Sequence, residues 1–405
     1  MSSVLVVGTG DTKRLELEYV RDLIRAAGAD AVFVDVGTTG HESAGDVTPE
    51  AVAAHHPDGA DAVESDDRGA AISAMSVALE HYVLANSDDV SGIIGAGGSG
   101  GTALVTPAMR ALPVGVPKMM VSTVASSNVA PYVGPADIAM MYSVTDVSGI
   151  NRISRQVLGN AAHAMAGMVA NTVPAGRSDL PPVALSMFGV TTPLVTRLSQ
   201  ELADRYDPLV FHATGTGGQS MEKLVDSGMV VAVLDMTTTE VADELVGGVF
   251  PAGPGRMDAI ARTGVPYVGS AGAVDMVNFG AMATVPKEFA DRNLHVHNAQ
   301  VTLMRTTPAE NTAIGEFIAR KLNACTGPVR FLLPEGGVSM IDAPGQPFHD
   351  PVADDALFAA IEANVEQNEN RVVTRVAANI NEEPFVEAVM SAFADVMPAD
   401  QGGTS

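Results

Sequence analysis

The sequence predicts an α/β protein made of two Rossmann-like, doubly wound domains with mainly parallel sheets. Three observations carry this expectation. Short apolar, β-branched runs recur along the chain and end in Gly/Thr/Ser loops. Those loops are followed by apolar residues at helical spacing, the alternation that builds a parallel sheet covered on both faces. The order of loops then starts again after a Pro-rich segment at 174–182, which has the composition of a linker.

The first element, residues 4–7, runs into Gly8-Thr9-Gly10-Asp11-Thr12-Lys13, after which Leu15, Leu17, Val20, Leu23 and Ile24 fall at helical spacing. Residues 31–36 read as a second strand, with Asp35 near its end. Residues 69–84 form an Ala-rich helix. A short strand at 92–94 leads into a seven-residue stretch, 95–101, holding five glycines, and 102–110 is the helix after it. Residues 118–121 make the next strand and 122–127 its Ser/Thr-rich loop. A further Ala/Met-rich helix covers 160–169.

Beyond the linker, 183–187 leads to a Thr-containing loop at 188–193 and a helix from about Leu194. Strand 209–212 leads to the di-glycine loop 213–218 and helix 219–225, and strand 230–234 ends at Asp235-Met236-Thr237-Thr238-Thr239-Glu240. Each half thus shows a strand with a Thr loop, a strand with a di-glycine loop, and a strand with a Ser/Thr loop. Two independent Rossmann-like domains would give the same pattern as a duplication. The expected division is 1–178 for a nucleotide-binding domain, 182–398 for a second α/β domain, and 399–405 for a flexible tail.

Composition narrows the function classes. The 405 residues carry 23 Lys plus Arg against 48 Asp plus Glu, a formal charge of −25, with no Trp and only 18 Phe and Tyr. An acidic surface with few stacking rings disfavours nucleic acid and anionic membranes as partners. One cysteine, Cys325, allows no intrachain disulfide, and no apolar run approaches a membrane span, so a cytoplasmic location is expected. Paired methionines at 119–120 and 140–141 read as core filling.

A small anion remains compatible with that charge, because backbone N–H groups at a helix start bind it locally. The richest candidate is Gly97-Gly98-Ser99-Gly100-Gly101, followed by Thr102; the alternative is a tight turn that needs glycine. The 8–13 loop opens like a dinucleotide fingerprint, but Lys13 stands at the third glycine position and only Asp35 downstream supports the match. Lys13, one of five lysines, is placed to reach a phosphate; Asp11 is placed to cap the helix or hold Mg²⁺. No G-x-x-x-x-G-K-[ST] motif is present, which excludes a P-loop NTPase. In the second half Asp235, Glu240, Asp243 and Glu244 cluster after a strand. His295 and His297 have metal-ligand spacing on one face of a strand, against the commoner structural pair, and no metal is assigned. Arg305 is suited to clamp a carboxylate or phosphate, or to form a structural ion pair.

Several strings carry a family resemblance. They are 8–16, 97–102, 112–123, 132–138 and 151–155, then 188–193, 211–218, 235–248 and 301–307. Together they resemble a widespread bacterial and fungal family, largely without assigned reactions, that includes the N-terminal ATP-binding domain of the tomato mosaic virus resistance protein. The resemblance implies two Rossmann-like domains, a homodimer, and ATP bound by the first domain; Mg²⁺ is expected only from the Asp11 reading above. Carried over residue by residue, the nucleotide positions are Gly8, Thr9, Gly10, Asp11, Thr12, Lys13, Gly97, Gly98, Ser99, Gly100, Gly101 and Thr102, with Ser122, Thr123 and Ser126. Asn128 departs from the small-residue turn expected there.

The leading expectation is therefore a nucleotide-binding protein with a second small-molecule site in the cleft between its domains. One alternative is a hydrolase or lyase of a small carboxylate using Asp235, Glu240, His297 and Arg305. Another is a non-catalytic sensor that closes on its ligand.

Overall fold

The structure is a computed structural model that describes residues 2–40, 42–171, 173–174 and 180–397. It divides into two units, Met1–Ala175 and Gly176–Ser405. Most of the expected linker's centre and the expected tail at 399–405 lie outside the described residues.

The first unit runs β1 (Ser3–Gly8), α1 (Gly10–Ala26), β2 (Ala31–Asp35), α2 (Pro49–Ala53), α3 (Arg68–Ala85), β3 (Val90–Gly97), α4 (Ser99–Ala111), β4 (Lys118–Ser122), α5 (Ala130–Val133), β5 (Ala139–Tyr142) and α6 (Arg152–Ala170). Its five strands are all parallel, in the order β2-β1-β3-β4-β5. Alternation along β1 sends Val4 and Val6 into one core and Leu5 and Val7 into the other. On the first face lie Leu17, Val20 and Ile24 of α1 with Leu158 and Met165 of α6. On the second lie Met75 and Leu79 of α3 with Leu104 and Met109 of α4. Each such side chain contributes about 1.5–3 kcal/mol by leaving water, which is why these helices clamp the sheet from both sides. Leu15, read as part of the apolar stripe, is instead 64% exposed.

Local chemistry explains where boundaries moved. β3 extends well beyond 92–94 because its glycines admit neighbours: a β-carbon on Gly92 would lie 2.8 Å from the Met165 sulfur, and one on Gly95 2.7 Å from that of Met120. α4 begins inside the glycine run, at Ser99. α6 begins at Arg152 because Asn151 and Ser154 form a reciprocal capping box.

The second unit runs β6 (Pro182–Met187), α7 (Thr192–Leu202), β7 (Asp207–His212), α8 (Thr216–Asp226), β8 (Ala232–Asp235), α9 (Thr239–Val246), α10 (Asp258–Thr263), β9 (Tyr267–Ser270) and β10 (Met276–Phe279). It continues through β11 (Leu294–Asn298), β12 (Val301–Arg305), α11 (Pro308–Ala324), β13 (Val329–Pro334), α12 (Pro351–Asn364), β14 (Arg371–Val376) and α13 (Glu383–Val396). Six parallel strands lie in the order β14-β13-β9-β8-β6-β7, and β10-β12-β11 form a small antiparallel sheet. α7 and α13 cover one face through Leu194, Leu198, Phe385 and Val389; α8, α10, α11 and α12 cover the other.

Both units place their second strand outside the first and the third on the first strand's other side. This shared topology corrects the loop pairing read from sequence. The di-glycine loop of the second unit follows its second strand, β7, whereas that of the first unit follows its third, β3. The two glycine loops are not topological counterparts.

Candidate functional site

In the first unit the strand order reverses between β1 and β3, which are hydrogen-bonded neighbours with Val7 opposite Gly95. Open parallel sheets bind ligands in the crevice at the carboxyl ends of such a pair. The 8–13 and 97–102 loops both leave the sheet there and both open directly into helices.

The glycines of the first loop serve distinct ends. A β-carbon on Gly8 would press within 2.8 Å of Leu17, so this glycine lets α1 pack on β1. Gly10 donates its N–H to Asp35 Oδ1 at 2.7 Å, and a β-carbon there would overlap that carboxylate. Asp35 is fully buried and also accepts from the Gly37 N–H (2.9 Å) and the Ser43 hydroxyl (2.6 Å). It braces the loop from beneath, which removes the one downstream feature that supported a dinucleotide fingerprint. Asp11 accepts from the Thr39 hydroxyl through Oδ2 (2.9 Å), while its Oδ1 is buried without a hydrogen-bond partner. Thr9 and Thr12 join hydroxyls at 2.8 Å, and Thr9 places no side-chain cap on α1. Lys13, where α1 is kinked (φ −130°, ψ 16°), is half-buried and makes no ion pair among the described residues.

The second loop is more open. Gly98 occupies the N-cap position of α4 and supplies no side-chain cap; Ser99 and Gly100 are exposed, and nothing lies within 4 Å of a β-carbon on Gly101. The first-turn N–H groups of α4 therefore have neither an intrahelical acceptor nor a capping side chain. Elsewhere in this unit α3 and α6 are capped by Asp67 and Asn151. Thr102 is fully buried: its hydroxyl donates to the Gly98 carbonyl (2.8 Å) and meets the Ser122 hydroxyl at 2.6 Å. Ser122 is likewise buried and caps the Val124 N–H at 3.1 Å. These two tie the β3 and β4 loops together from below. Thr123 is half-buried beside Gly98, and Ser126 is exposed.

A cavity of about 580 Å³ adjoins this edge of the sheet, lined by Gly37, Thr38, Glu50, Val63, Asp66 and Met75 among others. That volume suits a drug-sized ligand. The Thr39–Asp11 bond joins its rim to the 8–13 loop, and Ile72 of α3 comes within 3.9 Å of a β-carbon on Gly100.

The residues selected in the second unit separate into two buried clusters and a surface strand. Asp235 and Glu240 meet at Arg256, whose guanidinium bonds Asp235 twice (2.7 and 2.8 Å) and Glu240 through Nε (2.8 Å). Asp235 also accepts from Ser186 (2.6 Å) and Tyr267 (3.1 Å). Glu240 accepts the Gly215 and Gly218 N–H groups at 2.7 and 3.0 Å, so an internal carboxylate fills the di-glycine turn at the start of α8. Burial alone would lower the Arg256 pKa; Asp235 and Glu240 raise it well above its ordinary value. Burial raises Glu240, against the pull of Arg256. Met257, in left-handed backbone at φ 75°, is held by its N–H on Glu222.

Arg305 belongs to the other cluster, bonding Asp354 (2.7 Å), Asp342 (3.2 Å) and the Phe348 carbonyl (2.7 Å). His297 is exposed on β11, where the register shifts between Val296 and Asn298, and His295 packs edge-on to Phe348. No group of three or more His, Cys, Asp or Glu among the described residues is arranged to hold a metal ion. Sequence spacing missed Arg256, Glu222, Asp342 and Asp354, which join these clusters from distant loops and helices. The turn-rich Gly253-Pro254-Gly255 ahead of Arg256 is the one local signal.

Residues 2–174 match the N-terminal domain, and 180–397 the C-terminal domain, of the uncharacterised protein family UPF0261. The chain belongs to the UPF0261 family. A UPF0261 protein of Rhizobium meliloti is 53% identical over 397 residues, covering 98% of this chain and 99% of that protein. One of Clostridium tetani is 44% identical, over 97% and 98% of the two chains. The tomato ToMV resistance protein Tm-1(GCR237) is 42% identical over 98% of this chain, which spans 56% of that longer protein. A solved Streptomyces glycosyltransferase resembles 66% of this chain and 82% of its own at 13% identity and a TM-score of 0.17, too low to carry an argument. Among the described residues no helix of this UPF0261 protein is long and apolar enough to cross a membrane.

Proposed function

We propose that the first unit binds a nucleotide, ATP with Mg²⁺, at the carboxyl ends of β1 and β3. The observation that carries the reading is the start of α4, which no side chain caps, beside the start of α1 on the adjacent strand at the sheet's switch point, where Asp35 takes only the Gly10 N–H. Their N–H groups and aligned dipoles favour phosphate despite the chain's net charge. Lys13 supplies a cation with no ion-pair partner among the described residues, and the orphaned Oδ1 of Asp11 suits a bound Mg²⁺. Backbone groups of 98–101 would hold phosphate oxygens, with Ser99, Thr123 and Ser126 hydroxyls at their margin. The cavity along α2 and α3 would take the nucleoside, its Glu50 and Asp66 carboxylates suited to ribose hydroxyls or an exocyclic amine. Bound Mg²⁺ would neutralise phosphate charge and polarise the terminal phosphoryl group.

Isothermal titration of the whole protein with ATP and Mg²⁺ tests this. One site per chain is expected, weakened when Mg²⁺ is withheld; absence of heat at millimolar nucleotide would sink the proposal.

A further inference from the structure

The loops after β3 and β4 meet through two buried hydroxyls whose protons are fixed by their partners. The Thr102 hydroxyl lies 2.8 Å from the Gly98 carbonyl oxygen, which only accepts, so its single proton goes there. The 2.6 Å contact between Thr102 Oγ1 and Ser122 Oγ then takes the Ser122 proton, and Ser122 Oγ in turn accepts the Val124 N–H at 3.1 Å. The hydrogen bonds therefore run one way, from the Val124 N–H through Ser122 and Thr102 to the Gly98 carbonyl. Both hydroxyl-bearing residues are fully buried.

A helical threonine that bonds the carbonyl four residues back is ordinary. Here that bond ends a chain begun in the neighbouring strand's loop, and each link polarises the next. The Gly98 carbonyl also accepts the Thr102 N–H, at 2.9 Å. Two donors on this oxygen draw charge along the Gly98–Ser99 peptide and make its N–H a stronger donor. That N–H belongs to Ser99, the first residue of α4, where no intrahelical acceptor exists and Gly98 supplies no side-chain cap. Ser99 is exposed. A brace between the loops would be met by either proton order; this one adds to the positive end of α4.

We propose that the Ser99 N–H is the main donor to the ligand's phosphate, and that Thr102 and Ser122 are positioning residues that polarise it without touching the ligand. The assignment rests on the nucleotide reading above. It also couples the two loops. A phosphate oxygen on the Ser99 N–H strengthens every link back to the Val124 N–H, which lies in the turn bearing Thr123 and Ser126.

Calorimetric titration of the whole protein with ATP and Mg²⁺ should show Thr102→Val binding about tenfold more weakly than wild type, since the hydroxyl bond to Gly98 is gone. Ser122→Ala should bind about threefold more weakly, because Thr102 still reaches Gly98 and only the relay behind it is lost. Thr102→Ser keeps the hydroxyl and should match wild type. In ligand-free protein carrying isotope-labelled serine, the NMR resonance of the Ser99 amide nitrogen is identified by its absence in Ser99→Ala. It should move upfield in Thr102→Val, less far in Ser122→Ala, and not at all in Thr102→Ser. Wild-type affinity in Thr102→Val overturns the assignment and leaves the nucleotide reading standing, as does an unmoved Ser99 resonance in that variant. A wild type that binds no ATP overturns both. Should Thr102→Val fail to fold, Ser122→Ala decides by the same two readouts.

Discussion

Arg256 and Asp235 are joined by two hydrogen bonds, Nη2 to Oδ1 at 2.7 Å and Nη1 to Oδ2 at 2.8 Å, with both side chains sealed from solvent. Glu240 and Glu222 complete the arginine's ring of acceptors, anchoring β8, α9, α8 and the 253–257 turn to one another. Arg256→Met would leave three buried carboxylates without their cation. The unfolding free energy of the second unit should drop by about 3–5 kcal/mol. Urea denaturation followed by circular dichroism measures it, and a loss under about 1 kcal/mol would show the carboxylates to be compensated otherwise.

Asp243 gives a pH signature. Burial pushes its carboxyl up to about 7, although the Asn278 and Phe250 N–H groups both donate to it at 2.8 Å. A folded value above the unfolded one means that the native state holds the extra proton. The contribution is complete below about pH 4 and disappears as pH rises to about 7. Wild type should therefore lose stability relative to Asp243→Asn between pH 4 and 7, and the gap should be flat above pH 8. Thermal unfolding of both proteins across that range checks the slope; parallel curves would contradict it.

Gly98 separates the ligand's requirement from the fold's. Its backbone is not left-handed, and a β-carbon there meets only Thr123 Oγ1 at an ordinary 3.7 Å. Gly98→Ala should fold and keep most ATP affinity. Gly98→Asp should fold equally well but lose at least about a hundredfold in affinity, since a like charge beside phosphate costs several kcal/mol. Titration calorimetry with matched melting curves distinguishes the two variants.

Lys13→Met tests the ammonium. Removing a charge-assisted bond to phosphate should weaken ATP binding about tenfold to a hundredfold, and should flatten its dependence on salt. Titrations at low and high ionic strength provide the comparison.

The fold was largely legible because parallel strands buried on both faces read as apolar runs, as β1, β4, β6 and β8 do. The antiparallel β10-β12-β11 sheet was not: its strands are short, and β11 is partly exposed. At the candidate site the glycine loops were visible as composition, but the division of labour within them was not. Thr102 and Ser122 brace from below while Ser99 and Gly100 face solvent, a distinction fixed only by which strand lies beside which. Asp235 and Glu240, five residues apart across the start of one helix, do meet, at Arg256, but without the His297 and Arg305 grouped with them from sequence. Arg256, and the Asp342 and Asp354 that bond Arg305, come from distant segments that no local period connects.

The proposed nucleotide site requires phosphate at the starts of α1 and α4. A crystal structure of the protein soaked with ATP and Mg²⁺ tests it most directly. The phosphates should sit against the backbone of 98–101 with Lys13 in reach and the nucleoside in the cavity along α2 and α3. Nucleotide density elsewhere on the chain, with both helix starts facing only water, would contradict it.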